Sequence, residues 1–234
     1  KINGDPMRGN YLQLELTKSM YEKYAEDLML GAEMLESDNQ VVLDEYLLGF
    51  IREQDFEKEA KIWPNHKTDY RPLLKFAKDN NLHFVATNIP RRFANIVYRF
   101  GVDTLKYLPE ASKQFIAPLP MMYDTSLHCY KEISKMAEGH GGENLPKSQA
   151  IKDATMAYFI NTNMKENTKF LHYHGSYHSK YHESIMWHLL QLNPDLNITT
   201  IEVTEQIDIS EFDEKLTGNA DFFIVEDEDM CKTH

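Results

Sequence analysis

The sequence predicts an α/β fold, with a mainly parallel central sheet flanked by helices and a helical insertion. Short apolar runs that suit buried strands alternate with segments of helical periodicity along most of the 234 residues. Between residues 107 and 146 this alternation stops, and prolines recur. We therefore expect one domain over residues 1–234, with residues 107–150 as a helical insertion or lid. An ordinary pair of core helices is the alternative for that stretch.

The first half of the chain supplies strands and helices in turn. The run LMLGAEML at 28–35 suits a buried strand that carries one acid, Glu33. The run HFVAT at 83–87 suits a second strand, which stops at Asn88. Apolar spacing predicts the helices of this half at 11–30, 41–50, 53–62, 70–80 and 91–99.

The second half returns to the same pattern after the insertion. Helical spacing runs through Met156, and an alternating strand follows at 170–173. Gly175 then marks a turn, after which apolar spacing predicts a helix over 178–190. The last strands are predicted at 198–203 and 221–225.

Composition and charge narrow the classes of function. A hydrophobic content of 42% is enough to bury a full core, and a net charge of −12 argues against a nucleic-acid partner, which would need a concentrated basic face. No apolar run has the length of a membrane span. The opening residues, KINGDPMRGN, show no signal-peptide core, and we expect none there.

Residues that can carry chemistry follow three of the predicted strands. The segment 170–190 holds five histidines and three tyrosines, and its turn comes directly before His178. Glu33 lies in the first strand, and Arg91 comes shortly after the second. Because parallel strands end at one edge of a sheet, we expect these groups to converge there. The alternatives are a capping or ion-pair role for Glu33 and a solvent-facing helix that exposes His182 and His188.

Five motifs in this order resemble one protein family. They are GAEML around Glu33, a W-x6-Y-x-P-L-L run at 63–74, N-x-P-R at 88–91, DATMA at 153–157 and GSYH at 175–178. Together they resemble the ChaN-like haem-binding uptake proteins, which share a superfamily with the Tiki and erythromycin-esterase-like proteins. The resemblance covers most of the chain and implies the same α/β fold.

The resemblance implies haem capture rather than haem chemistry, which favours a binding protein over an enzyme. Ferric haem would lie in a pocket at the carboxyl edge of the sheet, with a tyrosine as iron ligand and a histidine and a basic residue near the propionates. Phenolate is a hard anionic donor that suits ferric iron. The candidates for the iron ligand near the turn are Tyr177, Tyr173 and Tyr181, and those in the insertion are Tyr123 and Tyr130. The other groups expected around the haem are His178, His174, Lys180, Arg91 and Glu33. Of all these residues, Tyr177 and His178 are expected nearest the metal.

The resemblance also implies partners and a location. Haem is the expected ligand, a homodimer is expected to enclose paired haems, and an outer-membrane haem receptor or other uptake components are the expected protein partners. The implied location is the bacterial cell envelope, either in the periplasm or lipid-anchored to the outer membrane.

One motif of the superfamily is not seen. A GE-x-H element normally closes a first strand ahead of the first helix, and the printed sequence shows none before that helix. The strand is either lost or lies outside the printed sequence, and in both cases half of an expected ligand pair is missing. The alternative function is a Tiki-type hydrolase that depends on a divalent metal, with Glu33 and His178 as its catalytic groups.

Overall fold

The structure is a computed structural model that describes residues 6–136 and 142–227. Its centre is a parallel sheet with the strand order β2-β1-β3, flanked by helices, which confirms the predicted fold class. Leu30 of β1 pairs with Phe84 on one side and with Leu171 on the other. A second parallel pair, β4 and β5, forms a separate small sheet. The strands are β1 (Leu28–Glu36), β2 (Phe84–Asn88), β3 (Lys169–Tyr173), β4 (Ile201–Gln206) and β5 (Phe222–Asp227).

Helices cover both faces of the central sheet. On one face, Leu28, Leu30 and Ala32 of β1 pack in a core with residues of α1, α2 and α4. On the other face, β2 and β3 pack against α8, which also contacts α5 and α9. The helices are α1 (Pro6–Tyr24), α2 (Gln40–Leu47), α3 (Glu53–Glu59), α4 (Arg71–Asp79), α5 (Arg91–Phe100), α6 (Glu110–Lys113), α7 (His128–Met136), α8 (Asn144–Asn163) and α9 (Ile185–Leu192).

The parallel arrangement defines one functional edge of the sheet. We call it the carboxyl edge, formed by Glu33–Glu36 of β1, Asn88 of β2 and Tyr173 of β3. The amide of Asn88 donates to the carbonyl oxygen of Glu33 at 2.9 Å and so ties the ends of two strands together. Gly31 allows the strands to pack closely below this edge, because a β-carbon there would lie 2.8 Å from the Phe170 ring.

Two predicted helices differ from the structure. The first helix ends at Tyr24 because Ala25 has a φ of 47°, and β1 starts soon after it. The helix predicted over 178–190 begins only at Ile185, since Tyr181, His182 and Ser184 have φ values of 61°, 58° and 55°. Two short 3₁₀ turns replace its first part.

The stretch 107–150 contains α6, α7 and the start of α8, and its described residues include no strand. Residues 137–141 of this stretch lie outside the described part of the chain. Its role as an insertion or lid stays a prediction. Within the described residues, no helix is both long and apolar enough to cross a membrane.

Candidate functional site

Glu33 and His178 meet at the carboxyl edge. One carboxylate oxygen of Glu33 lies 3.2 Å from Nε2 of His178, and the other accepts the backbone N–H of Gly175 at 2.9 Å. The His178 side chain is buried, with 6% of its surface exposed, and that of Glu33 is mostly buried, with 12% exposed. The centre strand therefore holds the turn after β3 in place through one carboxylate.

A second acidic residue, Asp153, contacts His178 through its other ring nitrogen. Nδ1 of His178 pairs with Asp153 of α8, a residue that is fully buried, and the Gln149 amide also contacts the ring. Burial alone would lower the pKa of His178, but the charges of Glu33 and Asp153 raise it to about 10. His178 is thus an imidazolium between two carboxylates. Both ring nitrogens already have protein partners, and a place for His178 near the metal stays a prediction.

The same ion pair acts on Glu33. Burial would raise the pKa of this carboxyl, but the His178 charge and hydrogen bond, together with the Gly175 N–H, hold it well below its usual range. Glu33 is therefore a carboxylate at neutral pH.

The network continues into the core through Asp153. Its second oxygen accepts the Tyr130 hydroxyl at 3.0 Å, and the Tyr130 oxygen lies 3.2 Å from Nε2 of His188. Because the phenol proton goes to Asp153, Nε2–H of His188 donates to Tyr130. His188 is buried and not solvent-facing, and burial lowers its pKa. The sequence pattern does not predict this role of Asp153, although the DATMA motif contains the residue.

His172 and His174 form a second pair on the same face of the sheet. Their Nδ1 atoms lie 2.9 Å apart, and Nε2 of His172 lies 2.7 Å from the Thr87 hydroxyl. Burial and then the neighbouring histidine charges lower the pKa of both rings, that of His174 to about 4. Both are neutral at pH 7, so His174 brings no positive charge to a propionate.

Among residues 6–136 and 142–227, no group of three or more His, Cys, Asp and Glu side chains has the geometry to hold a metal ion. Haem makes a smaller demand, because its porphyrin already supplies four ligands and the protein adds one or two.

Comparisons with known proteins identify the family of this chain. Residues 5–189 match the family described as "Haem-binding uptake, Tiki superfamily, ChaN". The chain belongs to this family. A solved structure titled "Cofacial heme binding to ChaN of Campylobacter jejuni" matches with a TM-score of 0.64 and 17% identity, covering 92% of this chain and 80% of that one. At this identity the likeness shows the ChaN fold. No curated protein matches the chain.

Two of the five tyrosines predicted as candidate ligands lie in the interior. Tyr173 and Tyr130 are buried, and their hydroxyls are engaged by Thr17 at 2.6 Å and by Asp153. Tyr173 also points into the core on the sheet face opposite His178. Both therefore serve the interior of this ChaN-family fold and are not placed to reach a ligand.

The other predicted tyrosines are partly exposed. Tyr177 lies in the turn that Glu33 holds, and its hydroxyl forms no hydrogen bond within the described residues. Tyr181 lies edge-on to His128 of α7 at 4.4 Å between ring centroids, and the Lys180 ammonium lies 5.0 Å from its ring. Tyr123 packs on Tyr130.

Long-range contacts hold the turn that carries Lys180 and Tyr181. The Glu183 carboxylate accepts the backbone N–H groups of His128 at 2.9 Å and Cys129 at 2.7 Å, which caps α7 from a distant part of the chain. The Tyr181 N–H donates to the Asn219 carbonyl at 3.1 Å. Arg91 is exposed at the start of α5, on the carboxyl edge.

Proposed function

We propose that this chain binds ferric haem at the carboxyl edge, with a tyrosine as the iron ligand. The observation that carries the proposal is a turn, fixed to Glu33 and His178, that presents Tyr177 and Tyr181 beside Lys180 in a chain of the haem-binding uptake family. Bound haem would supply an iron centre that accepts a phenolate oxygen. The chain's own residues position that oxygen and balance the charges of the propionates.

The residues at this edge fit the demands of haem. Within the described residues Tyr177 supplies a phenol without a hydrogen-bond partner, and Lys180 and Arg91 supply cations that suit propionates. In the stretch 107–150, Met121 is partly exposed and Met122 is 54% exposed, so they offer the adaptable apolar surface that a porphyrin face needs.

Glu33 and His178 act in this proposal as positioning residues. Each carboxylate oxygen of Glu33 and each ring nitrogen of His178 already has a protein partner. We therefore do not extend the proposal to hydrolysis, which would require one of them to activate water.

The proposal extends to assembly and location. The resemblance to the ChaN-like proteins supports a homodimer around the bound haem and a place in the bacterial cell envelope, anchored by lipid or free in the periplasm. It also supports exchange of haem with an outer-membrane receptor or with other uptake components.

A titration of the purified chain with ferric haem tests the proposal. Absorption spectra report a saturable site, and light scattering reports the mass in solution at each ratio of haem to protein. We expect saturation with a tyrosinate-type ferric spectrum and a rise in mass from monomer to dimer. Absence of saturable binding in a folded sample contradicts the proposal, and saturation without a change of mass contradicts only the dimer.

A further inference from the structure

The small sheet of β4 and β5 lies beyond residues 5–189, the part of the chain that matches the family. Two contacts tie it to the turn after β3. The Tyr181 N–H donates to the Asn219 carbonyl oxygen at 3.1 Å, and Nε2 of His182 lies 3.0 Å from the Asp221 carboxylate. An isolated pair of strands is only marginally stable in water, and a third strand normally completes such a sheet.

The strand β4 presents an open and regular edge. Among residues 6–136 and 142–227, β4 pairs with β5 alone, and none of its backbone groups forms a hydrogen bond outside that ladder. The register between Ile201–Gln206 and Phe222–Asp227 runs without a bulge. Exposed edges are usually protected by a lysine, a proline or a bulge, and the β4 sequence IEVTEQ contains none of these. The edge is therefore able to accept a further strand.

Strong negative charge surrounds this edge. Residues 201–227 hold nine acidic residues and one lysine, so they carry −8 of the net charge of −12. Glu205, Asp208 and Glu211 are exposed, and within the described residues none of the three forms an ion pair. A second copy of the chain would bring the same negative charge to the edge, and like charges oppose that pairing. A basic partner is attracted instead.

Apolar side chains are exposed among these acids. Ile201 and Phe222 are partners in the register of the sheet, and they are 41% and 62% exposed. Ile207 and Ile209, on either side of Asp208, are 80% and 57% exposed. The surface therefore fits a partner that carries both basic and apolar side chains.

We propose that the outer edge of β4 binds an extended, basic segment of a partner protein by strand addition. In this mode of recognition, backbone hydrogen bonds supply affinity and the side chains of the added strand supply specificity. The added strand completes the sheet, its basic side chains balance the acids, and its apolar side chains cover Ile201 and Phe222. The site uses no residue of the proposed haem site, so it adds a second binding activity to the chain.

A titration of the full chain, without haem, tests the inference. The probe is a labelled ten-residue peptide in which lysine and valine alternate, and fluorescence anisotropy reports its binding. Hydrogen exchange reports protection of the amides at 201–206. Two control peptides replace lysine with glutamate, or carry N-methyl groups on every second residue and so cannot donate along one edge. Glu205→Lys tests the charge, and Glu45→Lys, at an exposed acid of α2, is its matched control.

We expect saturable binding of the lysine peptide that weakens with added salt and slows exchange at 201–206. The glutamate peptide and the N-methylated peptide should not bind at the same concentrations. Glu205→Lys should weaken binding by about tenfold, because it places a like charge beside the peptide, and Glu45→Lys should change it by less than about twofold. Circular dichroism shows that each variant is folded.

Three results would overturn the inference. Absence of saturable binding to the native chain excludes the site. Equal binding of the N-methylated and unmodified peptides shows charge attraction without strand addition, and this comparison needs no variant of the chain. A dimer in light scattering of the peptide-free chain, with the amides at 201–206 protected only in the dimer, shows that a second copy occupies the edge.

Discussion

Nε2 of His178 lies 3.2 Å from a carboxylate oxygen of Glu33, and this contact joins the turn after β3 to the centre strand of the sheet. Asp153 completes the arrangement from α8. One buried cation between two buried anions thus locks three elements together at the carboxyl edge.

Removal of the cation should destabilise the whole fold. In His178→Ala, Glu33 and Asp153 are left as buried carboxylates without their partner, and we expect a loss of about 3–5 kcal/mol in the free energy of unfolding. His182→Ala is the control, because His182 and its partner Asp221 are more than a third exposed and the pair should contribute less than about 1 kcal/mol. Urea denaturation measures the free energy of unfolding of both variants. Equal losses would show that the buried triad stabilises the fold no more than an exposed ion pair does.

The same triad predicts the pH dependence of stability. The folded-state pKa of His178 is raised from 6.5 to about 10, so its stabilisation is complete below the unfolded value and is lost as the pH rises through the folded one. The pKa of Glu33 is lowered from 4.5, so its stabilisation is present above that value and is lost in stronger acid. Unfolding free energy should therefore decline between pH 6.5 and about 10. The alkaline decline should flatten in His178→Ala, and an unchanged slope there would contradict this assignment.

Glu183 should protect the start of α7. In Glu183→Ala the N–H groups of His128 and Cys129 lose their acceptor, and we expect a cost of about 1 kcal/mol and faster hydrogen exchange at these amides. Glu183→Gln keeps one acceptor oxygen and should fall between the native chain and the alanine variant. Exchange that is unchanged in Glu183→Ala would mean that the cap does not form in solution.

Substitution by alanine should change the stability of the fold to different extents at two glycines. In Gly31→Ala the new β-carbon would lie 2.8 Å from the Phe170 ring, so we expect overpacking to cost about 1–3 kcal/mol. In Gly175→Ala the nearest atom is the Glu33 carboxylate at an ordinary 3.7 Å, and the φ of −68° suits any residue, so the change should stay within about 0.5 kcal/mol. Thermal melting compares the two variants, and a reversed order would contradict the packing described here.

The strands and their convergence could be predicted from the sequence. The apolar run at 28–35 corresponds to Leu28–Glu36, and parallel order alone brings Glu33 and His178 to one edge. Gly175 marked the turn correctly, although its φ requires no glycine.

The rest depends on contacts between distant parts of the chain. The helix predicted at 178–190 breaks at Tyr181 because its N–H is taken by Asn219 and Glu183 is drawn to α7. No local pattern carries that information. Asp153 lies in a motif that the sequence shows, but its role depends on His178, which only the folded chain brings near.

Hydrogen exchange of the native chain with and without ferric haem tests the central claim, that the ligand lies at the carboxyl edge. We predict that haem slows exchange in the segment 174–182, which follows β3 at this edge, and leaves β4 and β5 unchanged. Protection confined to β4 and β5, or to the opposite ends of the strands at Leu28 and Phe84, would contradict the claim.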